Sequence, residues 1–328
     1  MIVPAPATGS GVPDPTVPRP FGRTGLAVTP VCVGTSPLAS MPALYGYSVD
    51  GQRAEDTVAA VLDGPFTFMD TSNGYGGGTA ERSIGAVLRR RGGLPEGFVL
   101  ATKADADPET GAFDGARVRR SVEESLERLG LDRIAVLYLH DPEFHMTFEE
   151  AMAPGGAVEA MAALRDEGVV GHLGVAGGQL DMMLRFVATG EFAAVVNHNR
   201  WTLVDRGAEP LMDLARSKGT AFVNGAPYGG GMLVKGPDAQ PRYAYRETPE
   251  AVREAVRAMQ GAAERHGVSL AAVALQFSLR DPRVTSTIVG FSRPSRVADT
   301  LRLATTPVPD GLWEEIERHV PARVHWLP

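Results

Sequence analysis

A chain of 328 residues, 44% hydrophobic and 22% charged, is long and apolar enough to bury a large core, which excludes disorder as its dominant state. Its formal charge of −7, with no long run of Lys and Arg, argues against nucleic acid and anionic membranes as partners. The lone Cys32 excludes an intramolecular disulfide and a thiolate zinc centre, and no metal site is expected.

The Pro- and Gly-rich stretch 1–19 reads as a flexible leader outside the fold, and 20–328 as a single domain. The leader is not a basic segment followed by an apolar one, and no apolar run reaches the length of a membrane span. A cytoplasmic location is therefore expected. Between Pro20 and Thr29, Gly22 and Gly25 surround a short polar turn and predict a β-hairpin.

Eight short apolar runs then predict strands: Val31–Gly34, Thr67–Thr71, Phe98–Lys103, Ile134–His140, His172–Ala176, Ala194–Asn199, Thr220–Asn224 and Thr287–Gly290. Runs without polar alternation are what strands covered on both faces look like, and amphipathic segments between them supply parallel crossovers. Arg117–Leu129 is one such helix, with Val118, Val122, Leu126 and Leu129 at helical spacing, Arg119, Glu123, Glu124 and Glu127 elsewhere around the axis, and Gly130 to stop it. Eight units predict an α/β fold of the (β/α)8 TIM-barrel class. A dinucleotide-binding doubly wound sheet lacks its Gly-x-Gly-x-x-Gly after the first strand. Between the seventh and eighth strands lie a Gly- and Pro-rich loop, Gly229–Pro241, and two predicted helices, Pro249–His266 and Ser269–Leu279. A long loop at this end of a barrel is usually functional.

Barrel active sites are assembled from strand C-terminal ends. The second strand ends in Asp70 and runs into a loop holding Tyr75; the third ends in Lys103 and the fourth in His140. Singly, each has a structural explanation, as a turn cap, a loop aromatic, a solvated strand end or a hydrogen-bonded core histidine. Together they suit carbonyl–alcohol interconversion, which moves a hydride at carbon and a proton at oxygen. A phenol of pKa about 10 needs a nearby cation to act near neutrality. Lys103 supplies that charge, Asp70 pairs with the ammonium, and His140 hydrogen-bonds the substrate oxygen.

The ordered set Asp70-Thr71-x-x-x-Tyr75-Gly76, Thr102-Lys103 and Leu137-Tyr138-Leu139-His140 resembles the aldo-keto reductases, from about Phe21 to Thr300. The resemblance implies that Asp70, Tyr75, Lys103 and His140 are the catalytic tetrad. It also implies NADP or NAD lying extended across the barrel mouth. The matching cofactor positions are Gly34, Thr35 and Asp70; His198 and Asn199; Ala226, Pro227 and Tyr228; then Gly290, Phe291, Ser292, Arg293, Arg296 and Thr300. Arg296 matches a position that in the family often meets a 2′-phosphate. Gly290 stands where some members have Lys, and Thr300 where an adenine-contacting Asn is usual, so both nucleotides stay open. His198 or Asn199 stands where Gln commonly holds the carboxamide, and Gly225 where an aromatic stacks on the nicotinamide.

His140-Asp141-Pro142, Asn199-Arg200-Trp201-Thr202-Leu203 and Asn224-Gly225-Ala226-Pro227 are similar to the aldose-dehydrogenase and pyridoxal 4-dehydrogenase branch of that family. This implies oxidation of a sugar hemiacetal to a lactone, or of a related aldehyde or alcohol. Alternatives are a general NADPH-dependent aldehyde or ketone reductase and a non-catalytic NADP(H)-binding regulatory barrel, against which an intact tetrad argues. A carboxylate-based glycosidase needs two facing acids at strand ends, and only Asp70 is clearly so placed, with Asp141 and Glu143 just past the fourth strand. The expected partner is a small-molecule carbonyl, alcohol or sugar. Val324–Pro328 is either a flap over the substrate or a surface tail, and the oligomeric state is not legible.

Overall fold

The computed structural model describes residues 12–328; residues 1–11 of the expected leader lie outside the described residues. The rest of that stretch is attached to the fold. Val12 packs on the core, and Arg19 opens the hairpin while its Nε donates to the carbonyl of Thr285 at 2.7 Å. The hairpin thus starts one residue before the expected boundary, as β1 (Arg19–Pro20) pairing with β2 (Ala27–Val28). Gly22 at its turn has φ +56°, and a Cβ there would lie 2.7 Å from the backbone of Gly219 and Ala221. Only glycine lets the turn lie this close beneath the barrel.

The barrel strands are β3 (Val31–Gly34), β4 (Phe68–Asp70), β5 (Val99–Ala104), β6 (Ile134–His140), β7 (Val170–Gly177), β8 (Ala194–His198) and β9 (Ala221–Gly225). A second hairpin, β10 (Arg242–Tyr243) with β11 (Arg246–Glu247), lies in the long loop, and β12 (Val284–Gly290) closes the ring. Every barrel pairing is parallel, in the order β12-β3-β4-β5-β6-β7-β8-β9, so this is the expected (β/α)8 TIM barrel. Most boundaries shift by a residue or two from the sequence expectation. β8 stops at His198 because Asn199 turns to φ 63°, which ends the ladder.

The barrel interior is filled by Cys32, Phe68, Ala101, Tyr138, Val196 and their neighbours, and Phe21 of the hairpin closes its lower end. Phe21 is fully buried, edge-on to Phe68 with 5.4 Å between centroids. Truncating such a ring typically costs about 3–5 kcal/mol. Two larger apolar clusters lie between the barrel and its helices, which include Gly51–Leu62, Thr79–Arg91, Gly115–Leu129 and Glu250–Arg265. Gly115–Leu129 shows how sequence sets such a helix: Asp114 caps its start by accepting from Arg117 N–H, and left-handed Gly130 ends it. The rigid scaffold leaves one end of the barrel for the strand-end side chains. Among the described residues no helix is long and apolar enough to cross a membrane.

Candidate functional site

After β4 the chain passes through Thr71, Ser72 and Asn73 to Tyr75, then turns through Gly76, Gly77 and Gly78, all with φ between 59° and 86°. That run favours glycine, and at Gly76 a side chain would also strike the carbonyl of Ala39. Asn73 fastens the loop to helix Gly115–Leu129. Its Nδ2 donates to Ser121 O at 3.1 Å and Glu124 Oε2 at 3.0 Å; its Oδ1 accepts from Arg117 Nη2 and its carbonyl from Arg128 Nη1, both at 3.0 Å.

The loop so held brings the Tyr75 hydroxyl to 3.0 Å from Lys103 Nζ. Lys103 is buried near the end of β5 and also donates to Asp70 Oδ1 at 2.5 Å and Thr71 O at 2.7 Å, which uses all three ammonium hydrogens. Burial works against the Lys103 charge, but Asp70 and Tyr75 outweigh it and hold the ammonium above its ordinary value. Burial pushes up the Asp70 carboxyl against the pull of Lys103. It also raises the Tyr75 phenol, again opposed by Lys103. The expected cation is in place, and dehydration beneath the mouth is the larger effect on the phenol.

His140 ends β6 with its ring edge-on to Tyr75, 5.7 Å between centroids. Its Nδ1 lies 2.6 Å from Asp105 Oδ1 and its Nε2 3.8 Å from Asp141 Oδ2. Burial disfavours the imidazolium, yet the two carboxylates raise its pKa. Burial alone would raise the Asp141 carboxyl, but His140 and His198 push it down to about 2. His198 Nε2 stands 3.5 Å from Asp141 Oδ1, so four alternating charged and titratable groups line the mouth. All four expected tetrad residues therefore converge. Asp105 and Ser72 do so as well, although sequence reasoning passed over them; each stands two residues beyond a tetrad member, and period-two alternation was the available signal.

A model of the Aldo/keto reductase family matches residues 30–321, from the start of the barrel through its last helix. The chain belongs to this family. It is 30% identical over 312 residues to D-threo-aldose 1-dehydrogenase from a Pseudomonas species, covering 84% of this chain and 93% of the relative. It is also 30% identical over 311 residues to L-galactose dehydrogenase from Arabidopsis thaliana, covering 93% of each. A holo-form aldo-keto reductase from Bacillus halodurans shares the fold at a TM-score of 0.73 and 21% identity, over 93% of this chain and 96% of that one. As an aldo/keto reductase, the protein is an oxidoreductase acting on carbonyl or alcohol groups, and enzymes of its family use NAD(P)(H).

The positions expected for this aldo/keto reductase's dinucleotide lie around the rest of the mouth. Gly34 pairs in register with Gly290, and Thr35 directs both its N–H and its hydroxyl to the Asp70 carbonyl at 3.0 Å. Asn199 and Ala226 adopt φ of 63° and 53° directly after β8 and β9, followed by buried Pro227 and half-buried Tyr228. The Phe291 ring packs in the core against Phe66 and its N–H bonds to Gly34 O at 3.0 Å, which leaves its carbonyl as the group that could face a ligand. Ser292 is half-buried, and exposed Arg293 is tied to Ser295 and Asp299. Arg296 begins helix Arg296–Thr305, half-buried and without a side-chain hydrogen bond or ion pair among the described residues. The buried atoms Asp70 Oδ2, Asn197 Oδ1, Asn199 Oδ1, Tyr228 Oη and Thr300 Oγ1 likewise have no protein partner. Arg19 Nη2, Thr67 Oγ1 and Tyr138 Oη, away from these positions, are also without protein partners. It is therefore the unpaired Arg296, together with the unpartnered oxygens near it, Tyr228 Oη and Thr300 Oγ1, that fits a polar anionic ligand such as a dinucleotide.

The C-terminal tail is tied down at the end of β8. Arg200 donates to the carbonyls of Gly178 (2.5 Å), Leu327 (3.0 Å) and Pro328 (2.6 Å), and Asp205 accepts from Leu327 N–H at 2.9 Å.

Proposed function

We propose that this aldo/keto reductase oxidises an aldose at its anomeric carbon to the lactone, with Tyr75 as base and NADP or NAD as acceptor. The observation that carries the reading is the 3.0 Å contact of the Lys103 ammonium with the Tyr75 hydroxyl, behind a buried ion pair with Asp70. Similarity to D-threo-aldose 1-dehydrogenase and L-galactose dehydrogenase supports the sugar class.

A bound nicotinamide would supply the acceptor for the hydride lost from the anomeric carbon. Tyr75 takes the proton of the hemiacetal hydroxyl. To act as that base Tyr75 must first be the phenolate, which Lys103 stabilises by charge and hydrogen bond; proton uptake then leaves the neutral phenol, and Asp70 holds the ammonium in position. His140 hydrogen-bonds the substrate oxygen. Asp141 and His198, beside it, suit the remaining hydroxyls of a polyol. The residues that would hold the cofactor are Gly34, Thr35 and Asp70, His198 or Asn199 toward its carboxamide, and Ala226, Pro227 and Tyr228. Gly290, Ser292, Arg293 and Thr300 would serve its adenosine end, and Arg296 would pair with a 2′-phosphate if the nucleotide is NADP.

A panel of pentoses and hexoses, each with NAD+ and NADP+, tests this through NAD(P)H absorbance, with mass spectrometry of the lactone as confirmation. Turnover of at least one aldose is expected. Silence across the panel rejects the reading: aldehyde turnover with NADPH would then make the enzyme a general reductase, and tight cofactor binding without turnover a regulatory barrel.

A further inference from the structure

We propose that Asp105 is a positioning residue that orients and charges His140, so that His140 Nε2 donates a hydrogen bond to the substrate oxygen. The proposal rests on the oxidoreductase reading of the site and names a component outside the tetrad.

Asp105 directly follows β5 and is held from all sides. Its N–H donates to Ser121 Oγ at 3.2 Å, and its carbonyl accepts from Arg117 Nε at 2.9 Å, both on helix Gly115–Leu129. Its Oδ2 accepts from the Ser72 hydroxyl and from Gly74 N–H, the latter at 2.7 Å. Its Oδ1 faces His140 Nδ1 at 2.6 Å. Gly74 permits the fit, since a Cβ there would lie 2.8 Å from that same Oδ1. A carboxylate anchored by two donors and brought this close to an imidazole is a built pair.

The hydrogen bonding decides the proton's place. An ionised carboxylate only accepts, and the Ser72 hydroxyl already donates to Asp105. The short Asp105–His140 contact therefore requires the proton on Nδ1. In a neutral ring Nε2 is then an acceptor; only the imidazolium donates there.

The charges facing His140 decide between these forms. Asp105 comes from the β5 end and Asp141 from the β6 end, and both favour the cation. Lys103 on β5 opposes it and is itself paired with Asp70 on β4, whose charge also reaches the ring; Ser72 Oγ lies 3.2 Å from Nδ1, and Tyr75 on the β4 loop and His198, reached through Asp141, stand nearby. Two carboxylates, one in direct contact, outweigh one ammonium whose hydrogens are already committed to Asp70, Thr71 and Tyr75. The raised pKa of His140 agrees. Asp105 keeps its negative charge, drawn below the ordinary carboxylate range by His140, Ser72 and Gly74 despite its burial.

Long-range 1H–15N NMR of the free, uniformly labelled protein tests this without substrate or cofactor, the His140 signals being assigned by their loss in His140→Gln. Wild type is expected to titrate above the ordinary 6.5 and, once neutral, to keep its proton on Nδ1. Asp105→Asn is expected to lower the midpoint by about 1–3 pH units, the usual reach of a directly paired charge. The low-pKa or high-pKa limb of kcat/KM assigned to His140 should move by the same amount. A neutral ring protonated on Nε2 overturns the proposal in the unmodified protein, even if the variant does not fold. A midpoint unchanged in folded Asp105→Asn overturns it as well. Loss of all sugar turnover would instead strike the functional reading, because the NMR result does not depend on it.

Discussion

The two halves of the barrel mouth are finished differently. At the ends of β4, β5 and β6 the charged groups are tied to one another inside the protein, although Thr71 Oγ1 and Tyr138 Oη lack partners there: Lys103 spends its three hydrogens, and Asn73 locks the Tyr75 loop against a helix. Around β8, β9 and β12, Asn197, Asn199, Tyr228 and Thr300 keep buried oxygens without protein partners, and Arg296 carries an unpaired charge. The first half is built to hold charge in one geometry before anything binds, as proton transfer requires. The second offers a cation and several polar oxygens that the protein itself leaves uncommitted.

The contrast is tested hardest at the hydroxyl between the halves. Tyr75→Phe keeps the ring and removes only the proton carrier, so kcat with the preferred aldose should fall about 10²–10⁴-fold. Thermal unfolding should stay close to wild type, and full turnover would remove Tyr75 from the chemistry. The pH dependence has a defined sign. A base whose pKa is raised by burial is mostly protonated near neutrality. Oxidation limited by Tyr75 should therefore accelerate as pH rises above about 7, until the His140 imidazolium gives up its proton. An oxidation rate already level across that range would show that another group limits proton removal.

On the receptive side, Arg296→Ala should raise KM for NADP+ about 10–100-fold, the worth of a charge-assisted hydrogen bond of about 1.5–3 kcal/mol, and leave KM for NAD+ nearly unchanged. Equal effects on both nucleotides would make Arg296 an ordinary helix arginine. On the locked side, Asn73→Ala deprives the buried Arg117 guanidinium of one partner and frees the loop before Tyr75. It should destabilise the protein by about 1–3 kcal/mol in urea unfolding and lower kcat more than it changes KM. An unchanged kcat in the folded variant would separate the loop anchor from the chemistry.

The legibility of the sequence follows the same division. Strands covered on both faces read as apolar runs, so the barrel was visible, and Asp70, Lys103 and His140 were visible as polar residues closing those runs. The supports of the site were not. Glu124 reads as one more charge on a solvated helix face, yet it accepts from Asn73 and Arg117; Glu81, in the next helix over, is fully buried against Thr102 and Arg128. A helical pattern shows which residues are charged, and only the packed neighbour shows which charges are buried. Phe291 shows the converse: its place in a family segment pointed to the ligand, while its apolar ring pointed to the core, and the ring is in the core.

The smallest expected effect discriminates the two halves most finely, because it has opposite signs in two measurements. Tyr228→Phe removes one hydroxyl that is buried beside two apolar clusters without a protein partner, in the neighbourhood of Arg296. If that hydroxyl served only the fold, its removal would cost stability. An unpartnered buried hydroxyl instead carries a dehydration cost, so the free variant should be as stable as wild type or up to about 1 kcal/mol more stable. If the hydroxyl meets the dinucleotide, fluorescence titration should show cofactor binding weakened a few-fold, matching a neutral hydrogen bond of about 0.5–1.5 kcal/mol. A less stable variant with unaltered cofactor affinity would assign Tyr228 to the core, and the receptive half of the mouth would begin at Asn199 and Arg296 instead.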